Sequence, residues 1–531
     1  MGSASGRARS FAARVATIRR AARGGRPNCR ERGARPVSTG GLDRRIARRR
    51  LTVSLAITHR EEWRPFAPSM TEAADDDYLE HATASPYMIT AFDVRPERRD
   101  ELDAVVHPAD GHDPTADRRY GSISACIRKP DRADRASMQT VVLAAGQGTR
   151  MRPLSESIPK PMLPVAGRPL VAHTVDAAIE AGSDEIVLVV GYEGDVVRDY
   201  FGDRYGGVPI RYATQDEQDG TGGALRAASE VLGDEPFAVL NGDVVFDRES
   251  LSALFDAGPA VGSVRVDEPS NYGILNVADG TVEGIVEKPA DPPGNLANAG
   301  VYVFPAGALD CLDVPLSERG EYELTDVLAR VLDESDVGHV ELDRWLDMGR
   351  PWELLEANEW KLADLEPSLR GDVSDDAEIE GPVVVEEGAT VRSGVVVEGP
   401  ALIRSGATVG PNAYVRGATL VGEDAKIGHG VEVKNSVLMA GATVGHLSYV
   451  GDSLLGRDVN FGAGTTVANL RHDDDPVEMT VSGDRVSTGR RKFGVVLGDG
   501  VRTGINTSLN AGVRLSPGAT TAPGEVVTSD R

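Results

Sequence analysis

From Ile379 to Val433 an aliphatic residue stands at every sixth position: Ile379, Val385, Val391, Val397, Ile403, Val409, Val415, Val421, Ile427 and Val433. Few folds accept that period. A helix repeats every 3.6 residues and a strand every 2, so neither keeps such a column on a single buried face. A parallel β-helix does, with three hexapeptides closing one triangular coil around a shared core. A lone hexapeptide cannot bury its own aliphatic residue, so the stacking of coils supplies the stability. Met439 is expected to continue the column. The pattern then slips, resumes at Val444 and Val450, breaks over Arg471–Arg491 and resumes from Phe493 to Val513. The break reads as a charged loop extruded from the coils.

The preceding stretch, 138–365, alternates strand and helix patterns. Val141-Val142-Leu143 runs into Ala144-Ala145-Gly146-Gln147-Gly148-Thr149-Arg150-Met151, and Pro159-Lys160-Pro161 follows. Glycines at the end of a strand let backbone N–H groups approach a phosphate, and two nearby cations can bracket a polyphosphate. Leu170–Ala181, Asp195–Phe201 and Thr221–Leu232 read as helices. Glu185–Gly191, Val208–Ala213 and Phe237–Leu240 read as strands. That alternation indicates a doubly wound, mostly parallel sheet, which binds ligands at the carboxyl ends of its strands. Asp243 follows one such end in Asn241-Gly242-Asp243, and Asp347 lies just before a helix spanning Pro351–Ala363. Magnesium takes one or two carboxylates and fills its shell with phosphate oxygens and water, so this pair suffices.

The Leu143–Met151 and Pro159–Val165 stretches together resemble the opening of the sugar-1-phosphate nucleotidylyltransferases. The motifs that follow keep that family's order. The resemblance implies that Leu143, Ala145, Gly146, Gly148, Thr149, Gln215, Gly220 and Thr221 bind the nucleotide. It implies that Arg150 and Lys160 serve catalysis, and that Asp243 and Asp347 hold Mg2+. Tyr272-Gly273-Ile274-Leu275, Val286-Glu287-Lys288-Pro289 and Asn298-Ala299-Gly300-Val301-Tyr302-Val303-Phe304 match its sugar side, implying contacts from Gly273, Glu287, Lys288 and Asn298. The implied substrates are UTP or dTTP and a hexose 1-phosphate. The reaction is an in-line attack of the sugar phosphate on the α-phosphorus, in which positioning and charge neutralisation dominate.

Within the repeats, His446-Leu447-Ser448-Tyr449-Val450-Gly451-Asp452 resembles a motif of glucosamine-1-phosphate acetyltransferases, the C-terminal half of bifunctional pyrophosphorylase/acetyltransferases. The family implies a left-handed β-helix that uses acetyl-CoA. In it His446 acts as base, Tyr449 hydrogen-bonds the sugar or oxyanion, and Arg416, Lys434 and Asn460 bind the sugar phosphate. Asn469 also falls at one of its polar positions, and Ala463 lines the acetyl-CoA site. One departure stands out: Asp473-Asp474-Asp475 occupies the loop where the family carries a lysine. Acidic residues cannot bind a phosphate there, which leaves Arg485, Arg490, Arg491 or Lys492 to substitute, or an inactive β-helix. A homotrimer or a dimer of trimers is implied. Two other readings compete: a glucose-1-phosphate thymidylyl- or uridylyltransferase with a structural β-helix, and a non-catalytic assembly subunit of the same plan.

Charge divides the chain. Its net charge of −25 combines +7 over residues 1–137 with −32 over 138–531. Residues 1–50 hold 15 arginines and two acidic residues without apolar periodicity, so 1–137 is expected to be a disordered or mis-assigned extension, with Met138 as the true start. The acidic body argues against nucleic acid as partner. With only six of the chain's seven lysines, that body resembles proteins of salt-loaded cytoplasms. Cys29, Cys126 and Cys311 show no metal or redox spacing, and no apolar run of about 18 residues could span a membrane. A cytoplasmic protein is expected.

Overall fold

The computed structural model describes residues 138–531 and the backbone of two short strands, Ile89–Thr90 and Ser124–Ala125, which pair antiparallel. The expectations for residues 1–137 lie outside the described residues.

The α/β part is built on a ten-stranded sheet. Its elements are β1 (Gln139–Leu143), α1 (Leu170–Ala181), β2 (Glu185–Val190), α2 (Gly194–Phe201), β3 (Val208–Thr214), α3 (Thr221–Ala228), β4 (Phe237–Asn241), β5 (Val244–Phe246), α4 (Arg248–Ala257), β6 (Ala260–Arg265), β7 (Gly273–Ala278), β8 (Thr281–Glu287), β9 (Leu296–Phe304), α5 (Leu324–Glu334), β10 (Gly338–Glu341), β11 (Trp345–Asp347) and α6 (Pro351–Ala363). Strands β4, β1, β2 and β3 lie side by side and parallel, and β9 joins β4 antiparallel. Val141, Val142 and Ile186–Val190 are buried on both faces, as continuous β-branched runs in a covered parallel sheet should be. The helix expected over Thr221–Leu232 is shorter: it ends at Ala228 in a tight 3-10 turn over Ser229–Val231.

Residues 368–527 form three parallel sheets wound into a β-helix. Val385 pairs with Ile403 and Ile403 with Val421, a coil of 18 residues. The next coil is one residue shorter. Val421 pairs with Leu438, Ile427 with Val444 and Val433 with Val450. Leu438, not Met439, therefore enters the core column, which corrects the expected register. Met439 points outward instead and is buried among side chains from both halves of the protein. The helix also runs beyond Val513, with Ser508–Leu509 pairing Val526–Val527.

The charged break is not simply extruded. Glu478–Val481 and Asp484–Ser487 form a hairpin, and Val477, Met479 and Val481 turn their apolar side chains into the junction between the two halves. That junction is a core in its own right. Leu402, Leu420, Leu454 and Val496 from one β-helix face meet Trp352, Leu355 and Met348 of the α/β part. Phe493 packs edge-on against Trp352 at 6.4 Å.

Candidate active sites

Parallel pairing of β1 with β4 aligns Leu143 with Asn241, so the signature loop and the Asn241-Gly242-Asp243 turn leave the sheet side by side. The Gly242 N–H donates to the Leu143 carbonyl at 2.9 Å and locks the two exits together. β5 then pairs antiparallel with β11, setting Val244 opposite Asp347, and the Met348 N–H donates to the Asp243 carbonyl at 3.0 Å. Two aspartates 104 positions apart are thereby brought together by one short ribbon. Lys160 Nζ donates to Asp243 Oδ2 at 2.5 Å, and its side chain is almost fully buried. Gly148 makes room for it: the backbone there is left-handed at φ 64°, and a Cβ would stand 2.5 Å from that of Lys160. A Cβ on Gly146 would meet nothing within 4 Å, so the space above it is free for a ligand.

Asp347 carries the electrostatic signature of the site. Burial pushes its carboxyl above the usual range, and the charge of Asp243 adds to this; Lys160, Arg150 and Lys288 oppose. The charges of three predicted cations thus act on this one half-buried carboxylate. Glu353 in the first turn of α6 is likewise raised, to about 7, by burial and then by Asp347. Its Oε2 accepts from the Arg350 N–H at 2.6 Å, capping the helix.

A cavity of about 250 Å³ opens beside these groups. Of the predicted residues it is lined by Leu143, Ala145, Gly146, Lys160, Gln215, Gly220, Thr221 and Asp243. Thr149 is not brought there; it borders a separate cleft with Arg152, Ser482 and Gly483 of the hairpin tip. The Gln215 amide nitrogen donates to Asp219 Oδ1 at 2.7 Å and to the Gly220 carbonyl at 2.9 Å. Both its hydrogens are used, so the group it offers a ligand is its oxygen, an acceptor. On the sugar side Gly273 pairs with Glu287 across β7 and β8, and a Cβ on that glycine would lie 2.9 Å from Glu287 Oε2. Lys288 Nζ lies 3.3 Å from Glu287 Oε1, and Asn298 is braced by Tyr302 Oη at 2.6 Å and the Gly300 N–H at 3.0 Å.

Two groups were not singled out from the sequence. Asn241 Oδ1 and Thr325 Oγ1 are buried without hydrogen-bond partners. Asn241 lines the cavity, and Thr325 lies against Gly273. A buried polar atom without a partner is costly, and a polar ligand in the cavity would satisfy Asn241. No sequence signal separated them from ordinary strand-end and helix-start residues.

In the β-helix the predicted residues gather along one corner. Arg416, Lys434 and Tyr449 stand on one sheet, Asn460 on the next, and His446 and Ala463 in the turns joining them. Those turns stack: the Leu447 N–H donates to the His429 carbonyl, that of Gly464 to His446 and that of Asn506 to Ala463. His446 and Asn460 are exposed. Ser448 Oγ, in the same turn as His446, is buried without a partner. Arg416 donates to Glu432 at 2.7 Å. Lys434 donates to both oxygens of the buried Asp452 at 2.8 Å. Asn469 donates to Asp452 Oδ2 at 2.5 Å and to Tyr449 Oη at 3.2 Å.

The four cations offered in place of the loop lysine separate clearly. Arg485 pairs with Glu478, Arg490 with Glu359 and Arg491 with Asp474. Lys492 is exposed and has no ion pair among the described residues. It bridges Leu470 across the base of the excursion, and the Phe493 N–H donates to the Asn469 carbonyl at 3.0 Å. The hairpin therefore returns a lysine beside Asn469.

Comparison with known proteins agrees with this architecture. A nucleotidyl transferase family model matches residues 139–363, and a GMPPB C-terminal domain model matches 397–517. A carbamoyltransferase C-terminus model matches 33–116, outside the described residues. The fold and the first site thus define a nucleotidyltransferase joined to a β-helix. A bifunctional protein GlmU of Methanococcus vannielii is 42% identical over 388 residues, covering 71% of this chain and 92% of its own. A bifunctional sugar-1-phosphate nucleotidylyltransferase/acetyltransferase of Sulfurisphaera tokodaii is 38% identical over 399 residues, 74% of this chain and 98% of its own. A low-salt glycan biosynthesis nucleotidyltransferase of Haloferax volcanii is 36% identical over 338 residues, covering 61% and 94%. The chain belongs to the family of bifunctional sugar-1-phosphate nucleotidylyltransferases/acetyltransferases. Among the described residues no helix is long and apolar enough to cross a membrane.

Proposed function

We propose that this chain transfers a nucleotidyl group from UTP or dTTP to a hexose 1-phosphate, N-acetylglucosamine 1-phosphate above others, releasing pyrophosphate. We propose also that its β-helix N-acetylates glucosamine 1-phosphate with acetyl-CoA. The observation that carries the reading is the Lys160–Asp243 contact in a cavity lined by the signature loop, with Asp347 brought beside Asp243 by the β5–β11 ribbon. Lys160 would bridge the attacking phosphate and the α-phosphate, and Arg150 would take the charge of the leaving pyrophosphate. Gln215 presents an acceptor, which suits the N3–H of uracil or thymine and rejects cytosine, whose N3 is itself an acceptor. Glu287 would accept from sugar hydroxyls.

The residues fit a divalent cation. Two neighbouring carboxylates, one of them raised by desolvation and then by the charge of the other, form a donor set that a metal would relieve. Asp243 and Asp347 would hold Mg2+, leaving positions for phosphate oxygens and water. When bound it supplies neutralisation of phosphate charge.

In the β-helix, His446 is free to take the proton of the sugar amine as its nitrogen attacks the thioester carbonyl, with the coenzyme A thiol leaving. Arg416, Lys434, Asn460 and Lys492 would meet the sugar phosphate, Tyr449 the oxyanion or sugar, and Ala463 the acetyl-CoA. The return of Lys492 beside Asn469 favours an active acetyltransferase over a bare scaffold. A homotrimer, with the corner shared between neighbouring β-helices, belongs to this reading, as does a cytoplasmic location. The test is a panel of UTP, dTTP and CTP against glucose, N-acetylglucosamine and galactosamine 1-phosphates, with acetyl-CoA consumption measured on glucosamine 1-phosphate. Turnover of the uracil or thymine nucleotides and none of CTP is expected. Turnover of CTP refutes the Gln215 argument, and no acetyl-CoA consumption reduces the β-helix to a scaffold.

A further inference from the structure

Helix α6 begins four residues after Asp347, so its first turn belongs to the nucleotidyl-transfer site. About two turns further on, Glu359 leaves that site and enters the other half of the protein. Its Oε1 accepts from Asn435 Nδ2 at 2.7 Å, and Arg490 donates to both its oxygens, Nη1 to Oε2 at 3.2 Å and Nη2 to Oε1. Asn435 follows Lys434 in the chain. The second hydrogen of its amide goes to Asp452 Oδ1 at 3.0 Å. That oxygen also takes Lys434, while Oδ2 takes Lys434 and Asn469. The two amides work in the same way: each uses both hydrogens, Asn435 to join Glu359 to Asp452 and Asn469 to join Asp452 to Tyr449.

The geometry points to Glu359, a residue of the nucleotidyltransferase half, as a positioning residue for acetyl transfer in the β-helix. It fixes the amide of Asn435, which fixes the Asp452 carboxylate, which sets the Lys434 ammonium directly and the Tyr449 phenol through Asn469. Asp452 is 2% exposed, so water cannot substitute for a lost donor. Deprived of Asn435, its carboxylate rotates toward the donors that remain and draws Lys434 with it. The two sites are then joined through one helix, which starts four residues after Asp347 and carries Glu359 of the acetyl-transfer network in its second half. The assignment rests on the acetyl-transfer reading of the β-helix corner.

Glu359→Ala and Glu359→Gln are compared with the unaltered full chain, both activities being measured on each preparation. Gln keeps an acceptor for Asn435. In Glu359→Ala the acetyl-transfer kcat/KM is expected to fall by about 10- to 100-fold, the scale of a displacement near 1 Å. Most of the loss should sit in KM for glucosamine 1-phosphate, because Lys434 would meet its phosphate. Glu359→Gln should recover most of it, and nucleotidyl-transfer kcat and KM should stay within about twofold in both variants. A second variant, Asn435→Ala, leaves the Glu359–Arg490 pair in place and should reproduce the KM rise. Glu359→Ala with unchanged acetyl-transfer constants overturns the assignment. So does a loss of both activities and of Tm together that Gln does not rescue, or a normal KM in Asn435→Ala. Absence of acetyl transfer in the unaltered chain overturns the acetyltransferase reading and this assignment with it. Acetyl transfer with unchanged kcat and KM in Glu359→Ala overturns the assignment alone.

Discussion

His173 lies in the first turn of α1, and its Nε2 sits 2.9 Å from the Val165 carbonyl, in the short ribbon that follows Lys160. Burial lowers its imidazole from 6.5 to about 4, and Arg168 and Lys361 also disfavour the cation; the Val165 carbonyl and Asp176 oppose them. At neutral pH the ring is therefore uncharged, with Nε2–H donating to the carbonyl. The sign follows directly. The folded state holds the neutral form, and the unfolded chain takes up a proton near pH 6.5. The stability from this residue is full above that pH and is lost as pH falls toward 4. The gap is worth about 3 kcal/mol in all, of which about 1 kcal/mol is gone by pH 5.5. His173→Gln keeps a donor for Val165 but cannot titrate. Urea unfolding of both proteins from pH 7.5 to pH 4.5 isolates the effect, because the many carboxylates contribute equally to each. The variant should lose ground at pH 7.5 and regain it against the parent by about 2 kcal/mol as pH falls to 4.5. Parallel pH profiles would refute the argument that the ring is held neutral.

Lys160→Ala should abolish most nucleotidyl transfer while far-ultraviolet circular dichroism stays native; near-normal turnover removes Lys160 from the mechanism. Lys492→Ala should raise KM for glucosamine 1-phosphate in acetyl transfer on the order of tenfold, the worth of one charged hydrogen bond, and leave nucleotidyl transfer alone. An unchanged KM would mean that another cation meets the phosphate. Leu438→Ala empties a fully buried core position and should destabilise the protein by about 2–5 kcal/mol in chemical unfolding. A cost under about 1 kcal/mol would show that Leu438 is not in the column.

The aliphatic column from Ile379 to Val433 was legible because six-residue spacing admits one architecture, and the structure keeps every pair of it in register. The slip beyond it was misplaced for a physical reason. Deleting one residue from a coil puts Leu438 inward and Met439 outward, and both positions are apolar, one for the β-helix core and the other for the junction. Arg150, Lys160, Asp243 and Asp347 were named as candidates by motif, yet the ribbon pairing Val244 with Asp347 is a long-range contact without a local sequence signal. Lys492 was readable only as one of four cations. The hairpin separates it from Asn469 in sequence, and only the backbone pairing of Leu470 with Lys492 brings it back. The connection from Glu359 through Asn435 to Asp452 was hidden. Its members span both halves; Asp452 closes the His446–Asp452 motif, but Glu359 and Asn435 alone read as surface or turn residues.

The junction core has a consequence for how the protein is made. Trp352 and Leu355 emerge from the ribosome with the α/β half, but their partner Phe493 comes more than 130 residues later, after the chain has wound most of its coils and returned from the hairpin. Until the coils bring Leu402, Leu420 and Leu454, and finally Phe493, the nascent protein carries a partly bare aromatic and aliphatic strip on an otherwise folded unit, the kind of surface that chaperones hold and that aggregates when they do not. A chain arrested after α6 keeps that strip permanently, so truncation there should yield a sticky, chaperone-bound species rather than a smaller working enzyme.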